Sequence, residues 1–201
     1  MHCRKNLFAD GGGNDNLAIL PALRRGCRKL IISNANDQKP AEEELGWDIK
    51  SYFGRAVEGD DYFNLNAQVF EGSAWDDLWD DIKAKAKAGE TCVHAATLRV
   101  LPNERSGVAG GYDVDTVWII NSKQQAWFDA LPAESQKLLA DADAAEQKKL
   151  GPCPISNHLK DLPYTSTFEM SPDAQLVGYL SQHTTHAVLQ AKPEIDALMV
   201  K

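Results

Sequence analysis

The segment that most constrains this chain is Asp10-Gly11-Gly12-Gly13-Asn14-Asp15-Asn16, set between an apolar approach (Leu7, Phe8) and a helical repeat. Leu17, Ile19, Leu20 and Leu23 follow it at helical spacing. Pro21 would cost a helix interior one of its hydrogen bonds, so its place is the first turn. Arg24, Arg25 and Gly26 read as a basic last turn and a C-terminal stop. Leu30-Ile31-Ile32-Ser33 is a continuous apolar run, which predicts a strand buried on both faces. Strand, glycine turn, helix and strand make one β-α-β unit, and that predicts the α/β class.

Composition supports a folded chain. Of 201 residues, 43% are hydrophobic and 25% charged, which excludes a disordered tail, a collagen-like repeat or a membrane bundle. No stretch approaches the ~20 apolar residues of a membrane-spanning helix, and the first residues carry no apolar core of a signal peptide. Cys3, Cys27, Cys92 and Cys153 stand apart without a C-x-x-C pair. That argues against a structural zinc site or a disulfide framework and predicts buried thiols in a reducing compartment. A formal charge of -8 repels nucleic acid, so no nucleic-acid partner is expected.

Further along, Trp75, Leu78, Trp79, Ile82 and Ala86 form one apolar stripe between a capping Ser73 and Gly89, with Asp81 and Lys85 as an i,i+4 pair on the outer face. Residues 91–101 and 112–121 are rich in Val, Ile, Thr and Trp and read as two strands around a loop with Gly107, Gly110 and Gly111. Helices are predicted around 124–131, over 132–150 with Leu138, Leu139 and Ala142 inward, and over 171–191 with Ser171 as cap. Glu42, Glu43 and Glu44 read as a solvated turn, and Trp47, Tyr52 and Phe53 as packing residues. No repeat or linker divides the chain, so one domain is the simpler reading.

The D-G-G-G-N-D-N stretch is dense in glycine and oxygen ligands. A strand ending in Asp before glycines would put a carboxylate at the C-terminal edge of a sheet, where α/β sites are built. A polar turn leading into a helix cap is the plainer alternative. The stretch lacks the G-K-[ST] of a phosphate loop and the G-x-G-x-x-G of a dinucleotide site. Gly12 and Pro21 stand where an EF-hand needs oxygen ligands. His183 and His186 have a spacing that permits metal ligation, but no acid lies between them, and partly exposed helix histidines are the simpler reading. Asp76, Asp77, Asp80 and Asp81 suit a helix N-terminal region better than a cation site. Arg24, Arg25, Arg28 and Lys29 read first as a solvated helix end.

The run LFADGGGNDNLAILPALRRGCRKLIISNAN resembles the C-terminal catalytic segment of patatin-like and cytosolic phospholipase A-like lipid acyl hydrolases. TVWIINSKQQAWFDALP and LPYTSTFEMSPDAQLVGYL look like later elements of the same family. The resemblance implies a Ser-Asp dyad in which Asp10 is the base and Gly11 and Gly12 complete its turn. It also implies that Arg24 and Arg25 contact lipid headgroups. The implied fold is the C-terminal part of a patatin-like three-layer α/β domain, an incomplete sheet flanked by helices over 1–201. The expected substrate is a glycerolipid or lysophospholipid at a membrane surface, acted on without metal or cofactor. The expected location is cytoplasmic, with peripheral contact on membranes.

No G-x-S-x-G occurs in the chain, and only nine residues precede Asp10, so the nucleophile half is expected to be missing. The chain alone is then predicted inactive, with a complementing N-terminal half as partner and with Leu7, Phe8 and Ile31 exposed. A non-catalytic lipid- or protein-binding module that retains the scaffold is the alternative.

Overall fold

The structure is a computed structural model that describes residues 15, 17–35, 37–55, 67–144, 159, 162–164 and 174–200. In chain order the elements are α1 (Ile19–Arg24), β1 (Lys29–Asn34), α2 (Trp47–Lys50), a 3-10 turn (Ser51–Phe53), α3 (Ser73–Ala88), β2 (Cys92–Val100), β3 (Tyr112–Ile120), α4 (Gln125–Asp129), α5 (Ala133–Ala144), α6 (Ala174–Gln190) and α7 (Lys192–Val200). The chain is mixed α/β, with a small sheet flanked by helices. Its residues group into two compact units.

The first unit comprises Met1–Arg28, Gly46–Trp75 and Leu98–Val114. Its core is aromatic: Phe53 packs its ring 5.4 Å from Phe70 and 5.7 Å from Trp75, and Tyr52 is buried beside them in sequence. The backbone N–H groups of Val69 and Phe70 both donate to Tyr52 O at 2.9 Å, and Leu101 N–H donates to Val69 O at 2.8 Å. The loop between β2 and β3 closes here through an antiparallel bridge of Asn103 with Val108. Gly110, at φ +66°, is obligatory in that loop, because a Cβ would stand 2.3 Å from Pro102 N and 2.4 Å from Leu101 C.

The second unit comprises Lys29–Leu45, Asp76–Thr97 and Asp115–Lys201. Its sheet has the order β1-β3-β2. The strand β1 runs parallel to β3, with Lys29 opposite Asp115 and Asn34 opposite Ile120. Thr97 pairs with Asp115 and Thr116 with Ala96 by hydrogen bonds, so β2 and β3 run antiparallel. Side chains alternate across a strand, and the two faces of this sheet meet different helices. Val93, Val117 and Ile119 pack on Ala187 of α6, on Ala191 and on Leu198 of α7. On the opposite face, Cys92 Sγ lies 3.4 Å from the carbonyl of Ile82 in α3.

Several expectations need correction. The strand β1 is not buried on both faces: Ile32 and Asn34 are buried, whereas Ser33 is exposed and Ile31 is 50% exposed. Sequence run alone overstates burial here, because β1 ends the sheet order and one of its faces has little cover. Ile31 thus agrees with the exposure expected of it, while Leu7 and Phe8 lie outside the described residues. Leu138 on α5 is exposed, and Leu139 and Ala142 are the inward pair. The helix expected to end near 191 ends at Gln190, and α7, a further helix that the sequence pattern did not mark, follows it. Ser171 and Pro172, the expected start of α6, lie outside the described residues, as do 145–150 of the α5 region.

Candidate functional site

The glycine-rich segment meets the described structure at Asp15. Its carboxylate accepts the backbone N–H groups of Ile19 at 2.9 Å and Leu20 at 3.0 Å, two donors that the first turn of α1 leaves unmatched. The Tyr52 hydroxyl donates to the same carboxylate at 2.5 Å and accepts Leu17 N–H at 3.3 Å. Ala18, between them, holds a left-handed conformation at φ +56°, which costs an alanine about 1 kcal/mol. Asp15 is therefore committed to holding the entry to α1. Asp10, Gly11 and Gly12, the residues with the expected catalytic role, lie outside the described residues.

This gives a direct prediction. Asp15→Ala removes the cap and leaves the buried Tyr52 hydroxyl without its acceptor. The expected loss is about 2–3 kcal/mol of stability in urea denaturation, and Tyr52→Phe should lose about 1–2 kcal/mol. A change below 0.5 kcal/mol (roughly the surface-substitution range) in both variants would contradict the capping role.

Arg24 and Arg25 are both exposed at the end of α1. Arg25 Nη1 curls back to donate to Pro21 O at 2.8 Å. The Arg24 guanidinium lies against Gly107, where a Cβ would stand 3.3 Å from its Nε. Arg28, the third member of the basic cluster, sits 4.1 Å over the Tyr112 ring and donates from Nη1 to Asp113 O at 3.4 Å. Arg28 thus has a packing role that the plain solvated reading of the cluster omitted.

Two polar clusters in the second unit were not anticipated in this form. Asp81 and Lys85 pair at 2.8 Å as expected, but not on an outer face. Asp81 also meets His94 Nδ1 of β2 at 2.8 Å, and Lys85 donates to Val93 O at 2.5 Å. Burial pushes the Asp81 carboxyl upward, and the hydrogen bonds from Lys85 and His94 outweigh it, so the group lies below its ordinary value.

The second cluster centres on His183, which is 2% exposed and so differs from the partly exposed histidine expected. Its Nε2 lies 3.2 Å from Gln124 Nε2, and its ring stands edge-on to Trp127 with centroids 5.1 Å apart. Burial pushes His183 down to about 4, against the opposing effect of a backbone hydrogen bond to Ser122. The imidazole is neutral at pH 7 and already satisfied. A signal for this existed in the sequence, because Leu176, Leu180, His183 and Ala187 follow one helical stripe.

Among the described residues no group of His, Cys, Asp and Glu is arranged to hold a metal ion. Cys27 and Cys92 are free thiols, and burial raises Cys92 to about 11, so it is not an activated nucleophile. No helix among the described residues is long and apolar enough to cross a membrane. Comparison of the chain with protein-family models, with curated proteins and with solved structures found no match to any of them.

Proposed function

We propose that the chain is the C-terminal segment of a serine lipid acyl hydrolase of the patatin-like, cytosolic phospholipase-like kind, with Asp10 as the base of a Ser-Asp dyad. The observation that carries the reading is the pairing of β1 parallel to β3, downstream of the glycine-rich segment and α1. Parallel pairing belongs to sheets whose sites form at the carboxyl ends of strands, which is where a strand-terminal Asp10 would act. The commitment of Asp15 to α1 and Tyr52 supports the same assignment, since it separates the two aspartates of the motif by role.

In this mechanism the Asp10 carboxylate accepts the proton of a serine hydroxyl as that oxygen attacks the acyl carbonyl. Backbone donors then hold the developing oxyanion. The 201 residues contain no G-x-S-x-G, so the serine is assigned to a segment outside them. Exposed Arg24 is the better placed of the two arginines for an anionic headgroup, since Arg25 is turned onto its own helix.

The test is hydrolysis of a lysophospholipid and of a chromogenic ester by the 201-residue chain and by the product of its extended upstream reading frame. The chain alone should be blank and the extended protein active. In the extended protein Asp10→Asn should lower kcat by 10³-fold or more (roughly the loss typical of a removed dyad member), while Asp15→Asn should lower stability first. Activity that survives Asp10→Asn, or an extended protein without G-x-S-x-G and without hydrolysis, would overturn the proposal; the latter points to a binding module.

A further inference from the structure

A cavity of about 320 Å³ in the second unit lies outside the hydrolase reading. It sits just past the carboxyl end of β3, among α3, α4, α5 and the short stretch around Leu162. Trp127, Phe128, Leu139 and Leu162 supply its apolar surface, part of a core that also takes in Leu176 and Tyr179. Its volume falls within the range of small-molecule sites.

Two buried polar side chains, Gln124 and His183, complete the wall, and their hydrogen bonds can be counted. His183 donates from one ring nitrogen to the Ser122 carbonyl, so its Nε2 is the acceptor and takes a proton from Gln124 Nε2 at 3.2 Å. Gln124 Oε1 accepts the Thr91 hydroxyl at 3.0 Å. A side-chain amide carries two N–H donors, and these bonds use one of them. The second has no acceptor among the described residues, although Gln124 is only 4% exposed. An unmatched buried donor is costly, and an acceptor brought into the cavity removes that cost. The charged residues of the wall, Lys87 and Lys123, are both exposed, and the imidazole is neutral at pH 7. The buried part of the wall is therefore uncharged, and it disfavours a charged ligand.

We infer that this cavity binds a small neutral apolar molecule with one carbonyl oxygen, its body against Trp127 and Leu139 and its oxygen on the second N–H of Gln124. The apolar wall supplies the affinity through burial, and the amide selects a ketone over a hydrocarbon of the same shape.

Calorimetric titration with three probes of one size tests this. They are acetophenone, α-methylstyrene, in which a methylene replaces the carbonyl oxygen, and benzoate, which adds a charge. Each readout is binding by the 201-residue chain, for which the hydrolase reading predicts no turnover, so failure of either leaves the other standing. Acetophenone should bind at millimolar concentration or below, and benzoate about tenfold or more weakly (about 1.4 kcal/mol). In the parent the infrared carbonyl stretch of bound acetophenone should fall below its value in cyclohexane, as a hydrogen bond requires. In Gln124→Met the affinity of acetophenone relative to α-methylstyrene should drop by roughly fivefold or more, because only the ketone uses the lost donor. Ala140 is exposed on α5 and lines the cavity, so Ala140→Trp should block it, leave the circular-dichroism spectrum unchanged and abolish binding of both neutral probes. No binding of acetophenone at millimolar concentration, benzoate bound as tightly, a carbonyl stretch at its cyclohexane value, an unchanged affinity ratio in Gln124→Met, or binding that persists in Ala140→Trp would each overturn the inference.

Discussion

Acidification from pH 7.5 to 4.5 is expected to cost the protein roughly 2–3 kcal/mol through His183 alone. The imidazole titrates near 6.5 in an unfolded chain and near 4 in the folded one. Between those values the unfolded chain binds the extra proton, so stability rises with pH across the window. The contribution is complete above about pH 6.5 and is lost as pH falls toward 4. Its cause is burial: a charged imidazolium at 2% exposure, between Gln124 and the Trp127 ring, has no water to solvate it. Urea denaturation of the parent and of His183→Gln at both pH values isolates the effect, since every other ionisable group is common to the two proteins. The parent should lose about 2–3 kcal/mol (an order-of-magnitude figure) more than the variant over this interval. Equal losses would show that His183 is not held neutral by burial.

The largest loss from a single substitution is expected at Trp118. It is fully buried on the central strand, opposite Ile32 of β1, and is the largest fully buried side chain among the described residues. Its Nε1–H donates to Thr116 Oγ1 at 3.0 Å, and that hydroxyl donates to Ala96 O at 2.9 Å, so the indole is tied to the pairing of β3 with β2. Trp118→Ala removes a fully buried ring from one face of the central strand and leaves a cavity there. About 3–5 kcal/mol should be lost, with Tm lowered by roughly 10 °C. That is a large fraction of the 5–15 kcal/mol (an order-of-magnitude range) by which such proteins are stable. Trp118→Phe keeps most of the volume and should cost about half as much. A loss of less than about 1.5 kcal/mol in the alanine variant would mean that the sheet is not organised around this residue.

The elements that were legible in the sequence share a property: their information is local. The stripe Trp75, Leu78, Ile82 names the buried face of α3, and Gly89, at φ +70°, ends that helix as its position suggests. The two strands and their glycine loop follow from β-branched runs and three glycines that all take positive φ. Where neighbours decide, the reading failed. The apolar run Leu30–Ser33 points to burial on both faces, yet one face of β1 stays open, because the sheet order puts β1 at its end. His183 shares the stripe of Leu176 and Ala187 on α6, but what covers it, Trp127 and Gln124, comes from tens of residues away. Asp81 and Lys85 looked like a surface pair, and the pairing is right, but its side of the helix is set by His94 on β2.

The same division holds for the site. The sequence by itself determined the helix and strand that follow the glycine-rich segment, the apolar stripe of α3, and the two strand runs on either side of the glycine loop. These follow from spacing and side-chain type, which need no partner to be read. The tertiary structure alone decided that β1 pairs in parallel with β3, that Tyr52 takes up Asp15, and that Gln124 and Trp127 close on His183. Each of these joins residues tens of positions apart. The free energy that selects them comes from surface buried and polar groups matched across the fold, and no local pattern encodes that sum.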